Sequence, residues 1–354
     1  MSSEAILVIG GGPAGLEAAR GAADLGSEVI LVERRARLGG TPDSAGYSAF
    51  ALDHRPAQEV LEIARQAVLT HPLIKVHLET EVTAFDGELG DFRASLLAAD
   101  GAAAEVSCGA AIIATGFDHF DPGRETQSYG YYEYDDVITL VDAERMLAAK
   151  NFVRPSTGQP PKQVCFIQCV GSRDRRIGNE YCSKVCCGVA SKEATEVRLA
   201  VPGVEVFIFY IDMRMYGYWE TQIYWPAQEK HHVQYVKGII TEVLPKDGRL
   251  LVRGEDTTMG RPMEVPMDLV VLSVGMEPSP GTRKMAEVLG IEQNRFGFIE
   301  APKGPLDTVA TSREGVFAAG ASLGPADLED CSSSGGFAGA RAAAVALSAR
   351  GALR

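Results

Sequence analysis

The first 33 residues constrain the fold most strongly. An apolar run over 5–9 leads into the glycine-rich stretch 10–15, an Ala-rich segment over 14–25 follows, and a second apolar run covers 28–33. Short apolar runs predict strands, and the Ala-rich segment predicts a helix. Two parallel strands need such a crossover helix between them. The chain is therefore predicted to open with one βαβ unit.

The glycine-rich stretch has the spacing G-x-G-x-x-G, which occurs where a strand turns into a helix and a pyrophosphate approaches the backbone. The helix N-terminus would then direct its free N–H groups at the phosphates. Glu33 ends the second strand, where a carboxylate could accept a hydrogen bond from a ribose hydroxyl, and Arg34 follows it. A purely structural glycine turn is the alternative. The predicted phosphate loop comprises Gly10, Gly12, Pro13, Ala14 and Gly15.

Later residues favour FAD over NAD. A Leu-Gly-Gly run at 38–40 follows the acidic strand, and 315–320 resembles the last strand of FAD domains. An Asp usually follows that strand, whereas this chain has Ala321, so the backbone or Ser322 would have to contact the ribityl chain. A stretch over 332–336 is predicted to open the last helix and to direct N–H groups at the flavin. Further predicted FAD contacts are Gly39, Gly40, Thr41, Val82, Ala114, Thr115, Gly116, Gly320, Ala321, Ser334 and Gly335.

Other short apolar runs alternate with Ala-rich segments, as in doubly wound α/β domains. A length of 354 residues indicates two domains. Two of the runs end alike, at 114–116 and at 273–275, which marks crossings between domains in flavoproteins with two nucleotide sites. We therefore predict a discontinuous FAD-binding domain, 1–117 and 276–354, with an inserted domain at 118–275. The polar stretch 253–266 is predicted to be a connection.

The seven cysteines are unevenly distributed, with five of them between 165 and 187. No second glycine loop follows the predicted strand 164–168. Four thiols stand there instead, at Cys169, Cys182, Cys186 and Cys187. Four thiolates suit an iron-sulfur cluster, and an adjacent pair is not the usual zinc knuckle. Zinc, a disulfide and buried thiols remain alternatives. The other three are predicted to be core thiols, with Cys165 as a possible substitute ligand; they are Cys108, Cys165 and Cys331.

Composition limits the partners. A formal net charge of −13 argues against nucleic acid or an anionic membrane. Clustered cysteines favour a reducing compartment, and neither a signal peptide nor a membrane span fits, so a cytoplasmic protein is expected. Aromatic residues are dense over 216–225. This density suggests a contact in a homodimer or with a different partner protein, and ordinary core packing is the alternative. These aromatic residues are Tyr216, Tyr218, Trp219, Tyr224 and Trp225.

The cysteine block resembles the A-type flavoprotein subunits of heterodisulfide reductases. The matching stretches are CVGSRD at 169–174, YCSKVCC at 181–187 with Lys192 beyond it, YGY at 129–131, VIT at 137–139, ERML at 144–147, DMR at 212–214, and Gly324, Pro325, Asp327 and Asp330. The resemblance implies a thioredoxin-reductase-like fold with one FAD and one 4Fe-4S cluster held by Cys169, Cys182, Cys186 and Cys187. It also places Lys192 where a family lysine lies near flavin N5 and tunes the flavin.

The chain departs from methanogenic members, which are longer and carry ferredoxin-like segments. Its shortness is similar to the A-like subunits of heterodisulfide-reductase-like complexes of sulfur-oxidising bacteria. That resemblance implies an electron-transfer subunit that works with B and C subunits, and indirectly with lipoate-binding proteins. Electron bifurcation, known for the methanogenic enzyme, is not inferred for this chain, because the segments that accept low-potential electrons there are absent from it. The alternatives are an NAD(P)H-dependent disulfide oxidoreductase, for which a second glycine loop is missing, and a non-catalytic scaffold.

Overall fold

The computed structural model describes residues 5–51, 54–124 and 128–352, and the chain divides into two compact units. The first unit comprises Met1–Ser44, Glu59–Asp118 and Glu277–Arg354, and the second comprises Ala45–Gln58 and His119–Met276. The sequence assigned all of 1–117 to the first domain. Residues 45–58 instead belong with the second unit, because Ser48 accepts and donates hydrogen bonds there with Glu144 and Lys192.

The described residues form 17 strands and eight α-helices. The strands are β1 (Ile6–Ile9), β2 (Val29–Val32), β3 (Ile74–His77), β4 (Thr80–Glu88), β5 (Asp91–Ala98), β6 (Ala103–Cys108), β7 (Ala110–Ile113), β8 (Phe117–His119), β9 (Val137–Thr139), β10 (Gln163–Val170), β11 (Glu205–Tyr210), β12 (Gln234–Lys246), β13 (Arg249–Asp256), β14 (Arg261–Met267), β15 (Leu269–Val274), β16 (Met276–Pro278) and β17 (Val316–Ala318). The α-helices are α1 (Pro13–Asp24), α2 (Gly40–Ala45), α3 (Ala57–Leu69), α4 (Leu140–Ala148), α5 (Cys186–Ala200), α6 (Trp225–Glu229), α7 (Pro280–Leu289) and α8 (Leu328–Ala352).

The first unit is built on a parallel sheet with strand order β17-β7-β1-β2-β3. Ile9, the last residue of β1, is in register with Val32 of β2 and Ile113 of β7. The carboxyl ends of these strands therefore meet at one edge of the sheet, directly before the glycine loop. In such sheets ligands bind outside the carboxyl ends of the strands. A separate antiparallel sheet, β4-β5-β6, completes the unit.

The last helix begins earlier than the sequence indicated. It starts at Leu328, where Asp327 and Asp330 each accept a hydrogen bond from the other's backbone N–H. Such reciprocal bonds satisfy amide groups that a helix start would leave free. The stretch 332–336 therefore lies inside α8, and the prediction that it opens the helix is wrong. Within the described ranges, no helix has the length and hydrophobicity needed to cross a membrane.

The second unit contains a seven-stranded sheet with the order β14-β13-β12-β11-β10-β15-β9. The strands β9, β15, β10, β11 and the beginning of β12 are parallel. The remaining strands form an antiparallel meander. The stretch 253–266, predicted as a connection, supplies the end of β13 and most of β14. Its polar residues misled the prediction because one face of an antiparallel sheet can be solvated.

Candidate functional site

The glycine loop of the first unit has a backbone that only glycine tolerates at its first position. Gly10 has φ of +110°, and an added Cβ would lie 2.3 Å from the Ala114 carbonyl oxygen. Gly12 forms the N-cap of α1 without a side-chain cap, and Pro13 begins the helix. The amides of the first helical turn therefore remain available to an anion. This arrangement fits a dinucleotide pyrophosphate.

Glu33 stabilises that loop. Its carboxylate accepts hydrogen bonds from the backbone N–H of Gly11 at 2.7 Å and of Arg35 at 2.8 Å, and the residue is only 4% exposed. A carboxylate has about four acceptor positions, so these two bonds leave room for a ribose hydroxyl. Glu33 thus holds the residues that follow β2 against the glycine loop. Its contact with ribose stays a prediction.

Several other predicted FAD residues line the same sheet edge. Gly39 donates its N–H to the Gly11 carbonyl at 2.7 Å, and an added Cβ on Gly40 would lie 2.6 Å from the Gly12 Cα. The Thr41 hydroxyl donates to the Phe117 carbonyl. The strand end at 114–116 is tied to α7, since the Thr115 and Thr282 hydroxyls lie 2.8 Å apart and Thr282 also donates to the Gly116 carbonyl. Val82 is buried in β4 and Arg34 is exposed.

The residues near the C-terminus that are predicted to contact the flavin also have partners within the protein. The Ser322 hydroxyl is buried and donates to the Ala319 carbonyl at 2.8 Å. The Ser334 hydroxyl accepts from the Gly320 N–H at 2.9 Å. Gly335 allows α8 to touch α1, because an added Cβ would lie 2.3 Å from the Ala14 carbonyl oxygen. Ser322 and Gly335 therefore also have a packing role, and Ala321 lies buried beside Ser322. The flavin contacts of this region stay predictions.

Three of the four clustered thiols of the second unit are in contact. Cys169 lies near the end of β10, and Cys186 and Cys187 form the first turn of α5. The Cys186 thiol is hydrogen-bonded to both of the other sulfurs. This bond lowers the pKa of Cys169 to about 7 and also lowers the pKa of Cys187, whereas the pKa of Cys186 is raised. No disulfide joins any of the seven cysteines, all of which lie in the described ranges.

The sulfurs of this cluster also accept N–H donors from the loops around them. The Arg173 guanidinium lies 4.0 Å from Cys169 Sγ, the Lys184 N–H donates to Cys182 Sγ at 3.3 Å, and the Arg214 N–H donates to Cys187 Sγ at 3.5 Å. Cationic and N–H donors stabilise thiolate over thiol. Cys169 and Cys187 are therefore favoured in the deprotonated form that metals bind.

The described part of the chain contains no group of three or more His, Cys, Asp or Glu side chains already arranged to hold a metal ion. The donor chemistry nevertheless fits an iron-sulfur cluster. Beside Cys169, the Gln168 amide and the Ser172 hydroxyl are buried without a hydrogen-bond partner among the described residues. Buried donors without acceptors are rare and require an explanation. Cluster sulfides would be acceptors of the right kind.

Lys192 lies on α5, five residues beyond Cys187, and is fully buried. Its ammonium forms an ion pair with Glu144 of α4 and lies 3.5 Å from the carboxylate of Glu196. It also donates to the Ala49 carbonyl at 3.1 Å and to the Ser48 hydroxyl at 3.2 Å. These two carboxylates were missed as functional candidates, although Glu196 stands four residues after Lys192 on one helix face, which is a usable signal.

The aromatic segment divides into exposed and buried residues. Tyr218 is 76% exposed and Tyr216 and Trp225 are about half exposed, whereas Trp219 is 6% exposed. The Trp219 ring lies over Gly188 of α5, where an added Cβ would meet it at 2.2 Å. Trp219 is therefore an internal packing residue, and the prediction that it forms an intersubunit contact is wrong. Tyr218 remains a candidate for such a contact.

Comparisons with known proteins agree with the fold and the motifs. The model of the pyridine nucleotide-disulphide oxidoreductase family matches residues 4–344. Thioredoxin reductase of T. acidophilum superposes with a TM-score of 0.64 at 18% identity, over 98% of this chain and 99% of that one. The predicted α/β fold with two dinucleotide-binding domains is thus confirmed.

The sequence relatives confirm the resemblance to the A-type subunits of heterodisulfide reductases. The second A-type iron-sulfur subunit of CoB–CoM heterodisulfide reductase from Methanopyrus kandleri is 33% identical, over 95% of this chain and 63% of that protein. The A-type subunit of H2:CoB–CoM heterodisulfide,ferredoxin reductase from Methanothermobacter thermautotrophicus is 39% identical, over 68% of this chain and 37% of that protein. The chain spans less than two thirds of these relatives. It is an oxidoreductase, and it belongs to the pyridine nucleotide-disulphide oxidoreductase family.

Proposed function

We propose that the chain is an electron-transfer flavoprotein subunit that binds FAD in its first unit and a 4Fe-4S cluster in its second. The observation that carries this proposal is the contact of the Cys186 thiol with Cys169 and Cys187. The contact lies at the end of β10, where related two-nucleotide enzymes carry a second glycine loop. Soft thiolates are the ligands that iron-sulfur clusters require.

In this proposal Cys169, Cys182, Cys186 and Cys187 hold the cluster. The flavin would exchange electrons in pairs and the cluster singly, which is chemistry that the cofactors supply when bound. The protein contributes the glycine loop and α1 dipole for the pyrophosphate. It also contributes N–H donors to the thiolates, which favour the reduced cluster and so raise its potential.

Lys192 is proposed to tune the flavin, on the strength of the resemblance that places a family lysine near flavin N5. Its ammonium would favour electron density on the isoalloxazine ring. Replacement of Lys192 by Ala should shift the flavin potentials while FAD stays bound, as measured by spectroelectrochemistry. Unshifted potentials in a folded variant would contradict this role.

The relatives named as subunits of heterodisulfide reductases support a place in a multi-subunit complex. We propose partners that resemble the B and C subunits, a homodimer of this chain, and a role in sulfur oxidation in the cytoplasm, indirectly with lipoate-binding proteins. Tyr218 tests the homodimer because it is the most exposed aromatic residue of its segment. Replacement by Ala should lower the mass measured by light scattering, whereas an unchanged dimer would count against this contact.

The central test is the cofactor content of anaerobically purified protein. The proposal predicts one FAD together with about four irons and four acid-labile sulfides per chain. It also predicts a paramagnetic signal that appears on reduction. Zinc without sulfide would overturn the cluster while leaving the FAD assignment intact.

A second candidate function is an NAD(P)H-dependent disulfide oxidoreductase. The observation that favours it is the same thiol contact, in which Cys169 and Cys186 would serve as the redox dithiol. This candidate predicts rapid bleaching of the flavin by NADPH alone and two fewer free thiols after oxidation. The electron-transfer proposal predicts neither result.

A further inference from the structure

A chain of hydrogen-bonding groups leads from the surface of the second unit to buried Lys192. It begins at His54, whose side chain is 35% exposed and lies 3.6 Å from Glu196 Oε1. The other oxygen of Glu196 lies 2.9 Å from the Ser48 hydroxyl. That hydroxyl lies 2.5 Å from Glu144 Oε2, and the other Glu144 oxygen bonds the Lys192 ammonium. From Glu196 inward each group lies within hydrogen-bonding distance of the next, and His54 lies within ion-pairing distance of Glu196 at the surface end.

The Ser48 hydroxyl occupies an unusual position among these hydrogen-bonding groups. It lies between two carboxylates, yet it carries only one proton and can donate to one of them at a time. Its remaining short contact is favourable only if the facing carboxyl group carries a proton. The Lys192 ammonium already donates to the same hydroxyl at 3.2 Å. The Ser48 hydroxyl therefore connects Glu144 and Glu196 and can pass a proton from one carboxyl group to the other.

Glu193 lies beside these hydrogen-bonding groups and provides independent evidence for a buried proton. It is fully buried, and its carboxyl group lies next to that of Glu144, although neither oxygen makes a hydrogen bond of good geometry with a described residue. The charged groups that face it are Glu144 of α4 and Lys192 and Glu196 of its own helix. A buried carboxylate beside two others is costly, whereas the neutral acid is not. Burial and the Glu144 charge raise the pKa of Glu193 well above its ordinary value of 4.5.

We propose that His54, Glu196, Ser48, Glu144, Lys192 and Glu193 form a proton relay, which takes up protons from solvent at His54 and holds one at the buried end. At each transfer an O–H or N–H bond breaks on the donor and another forms on the next acceptor. No electrons move and no other reactant is needed. The buried proton is held at the carboxyl group of Glu193.

The relay does not depend on the proposed cofactors, because all six side chains belong to the second unit of this chain. It would allow a buried charge change in that unit to be balanced by proton uptake through protein groups. A merely structural ion pair would need neither the buried Glu193 nor the connection through Ser48 to a half-exposed histidine.

The first test is the infrared spectrum of the whole chain at neutral pH. A neutral buried carboxyl group gives a carbonyl band apart from the amide and carboxylate bands. We expect this band in the wild type and expect Glu193→Gln to lose it. Glu229→Gln, which changes an exposed residue, should retain it. Absence of the band in the wild type, or its persistence in folded Glu193→Gln, would overturn the stored proton.

The second test measures how fast that band shifts after mixing with heavy water. Ser48→Ala keeps every charge and removes the connecting hydroxyl, so the exchange rate should fall by roughly a hundredfold, the usual contribution of one positioned proton-transfer group. Glu196→Gln should slow exchange similarly. The exposed hydroxyl of Thr70, which donates to its own helix, provides the control Thr70→Ala. Wild-type exchange rates in both relay variants would overturn the relay.

Discussion

The Lys192 ammonium and the Glu144 carboxylate form an ion pair in which both side chains are almost fully buried, at 1% and 3% exposed. Burial opposes the charge on Lys192, but the Glu144 and Glu196 carboxylates outweigh it and raise the pKa of the lysine. The buried ammonium and the carboxylates around it therefore stabilise one another in their charged forms. A buried pair of this kind is weak support for stability by itself, but loss of one partner is severe.

Lys192→Met tests this dependence. The substitution leaves Glu144 and Glu196 without their cation, so the free energy of unfolding should fall by about 3–5 kcal/mol. Urea denaturation measures the loss. Adding Glu144→Gln should restore part of it, because the double variant no longer buries that charge. Lys284→Met removes an exposed pair with Glu81 and should cost less than about 1 kcal/mol. Equal losses in the two single variants would contradict the interpretation.

Glu193 should make the protein less stable as the pH rises. Its pKa is raised in the folded state, because burial and the Glu144 charge oppose ionisation. The folded state therefore keeps a proton that the unfolded state releases above pH 4.5. The contribution of Glu193 is fully present below that pH and is lost as the pH rises toward the folded pKa.

Glu193→Gln removes this titration. We expect the variant to gain stability relative to the wild type on going from about pH 5 to about pH 8, as measured by urea denaturation at several pH values. Glu229→Gln should follow the wild-type curve throughout. A constant difference between Glu193→Gln and the wild type across this range would show that the carboxyl group does not hold the proton.

Gly10 should be indispensable for the first nucleotide site. In Gly10→Ala the new Cβ would lie 2.3 Å from the Ala114 carbonyl oxygen, so β7 or the loop must move. Gly26→Ala is a matched control, because Gly26 also has a positive φ, of +90°, but has open space around it. The control should lose about 1–2 kcal/mol of stability and keep its FAD. Gly10→Ala should lose FAD in gel filtration, and full retention would contradict the site.

Much of the fold could be predicted because its signals are local. The run from β1 to Glu33 carries its own strand, turn and helix pattern, and Cys169 marks the end of β10. The meander of β13 and β14 could not be predicted in this way. The end of β13 is polar and most of β14 is exposed or half-buried. Polar composition alone indicates a loop as readily as a half-exposed strand.

The buried charges were hidden for a different reason. Lys192 was singled out only through a resemblance, and Glu193 stands in a sequence that reads as an ordinary exposed helix face. Burial of these side chains depends on residues 45–58 and on α4, which are distant in the chain. No periodicity within α5 could have shown that Glu144 and Ser48 would meet this helix.

The cysteine assignment separates the two cofactors. Cys169→Ser should abolish bound iron and sulfide while leaving FAD in place, because Cys169 belongs to the thiol cluster and the glycine loop belongs to the other unit. Cys165 lies four residues earlier in β10 and is fully buried. Cys165→Ala should therefore keep its iron and lose only the packing of one small side chain, about 1 kcal/mol. If Cys165→Ala loses iron and Cys169→Ser retains it, the ligand assignment is wrong and Cys165 is the ligand.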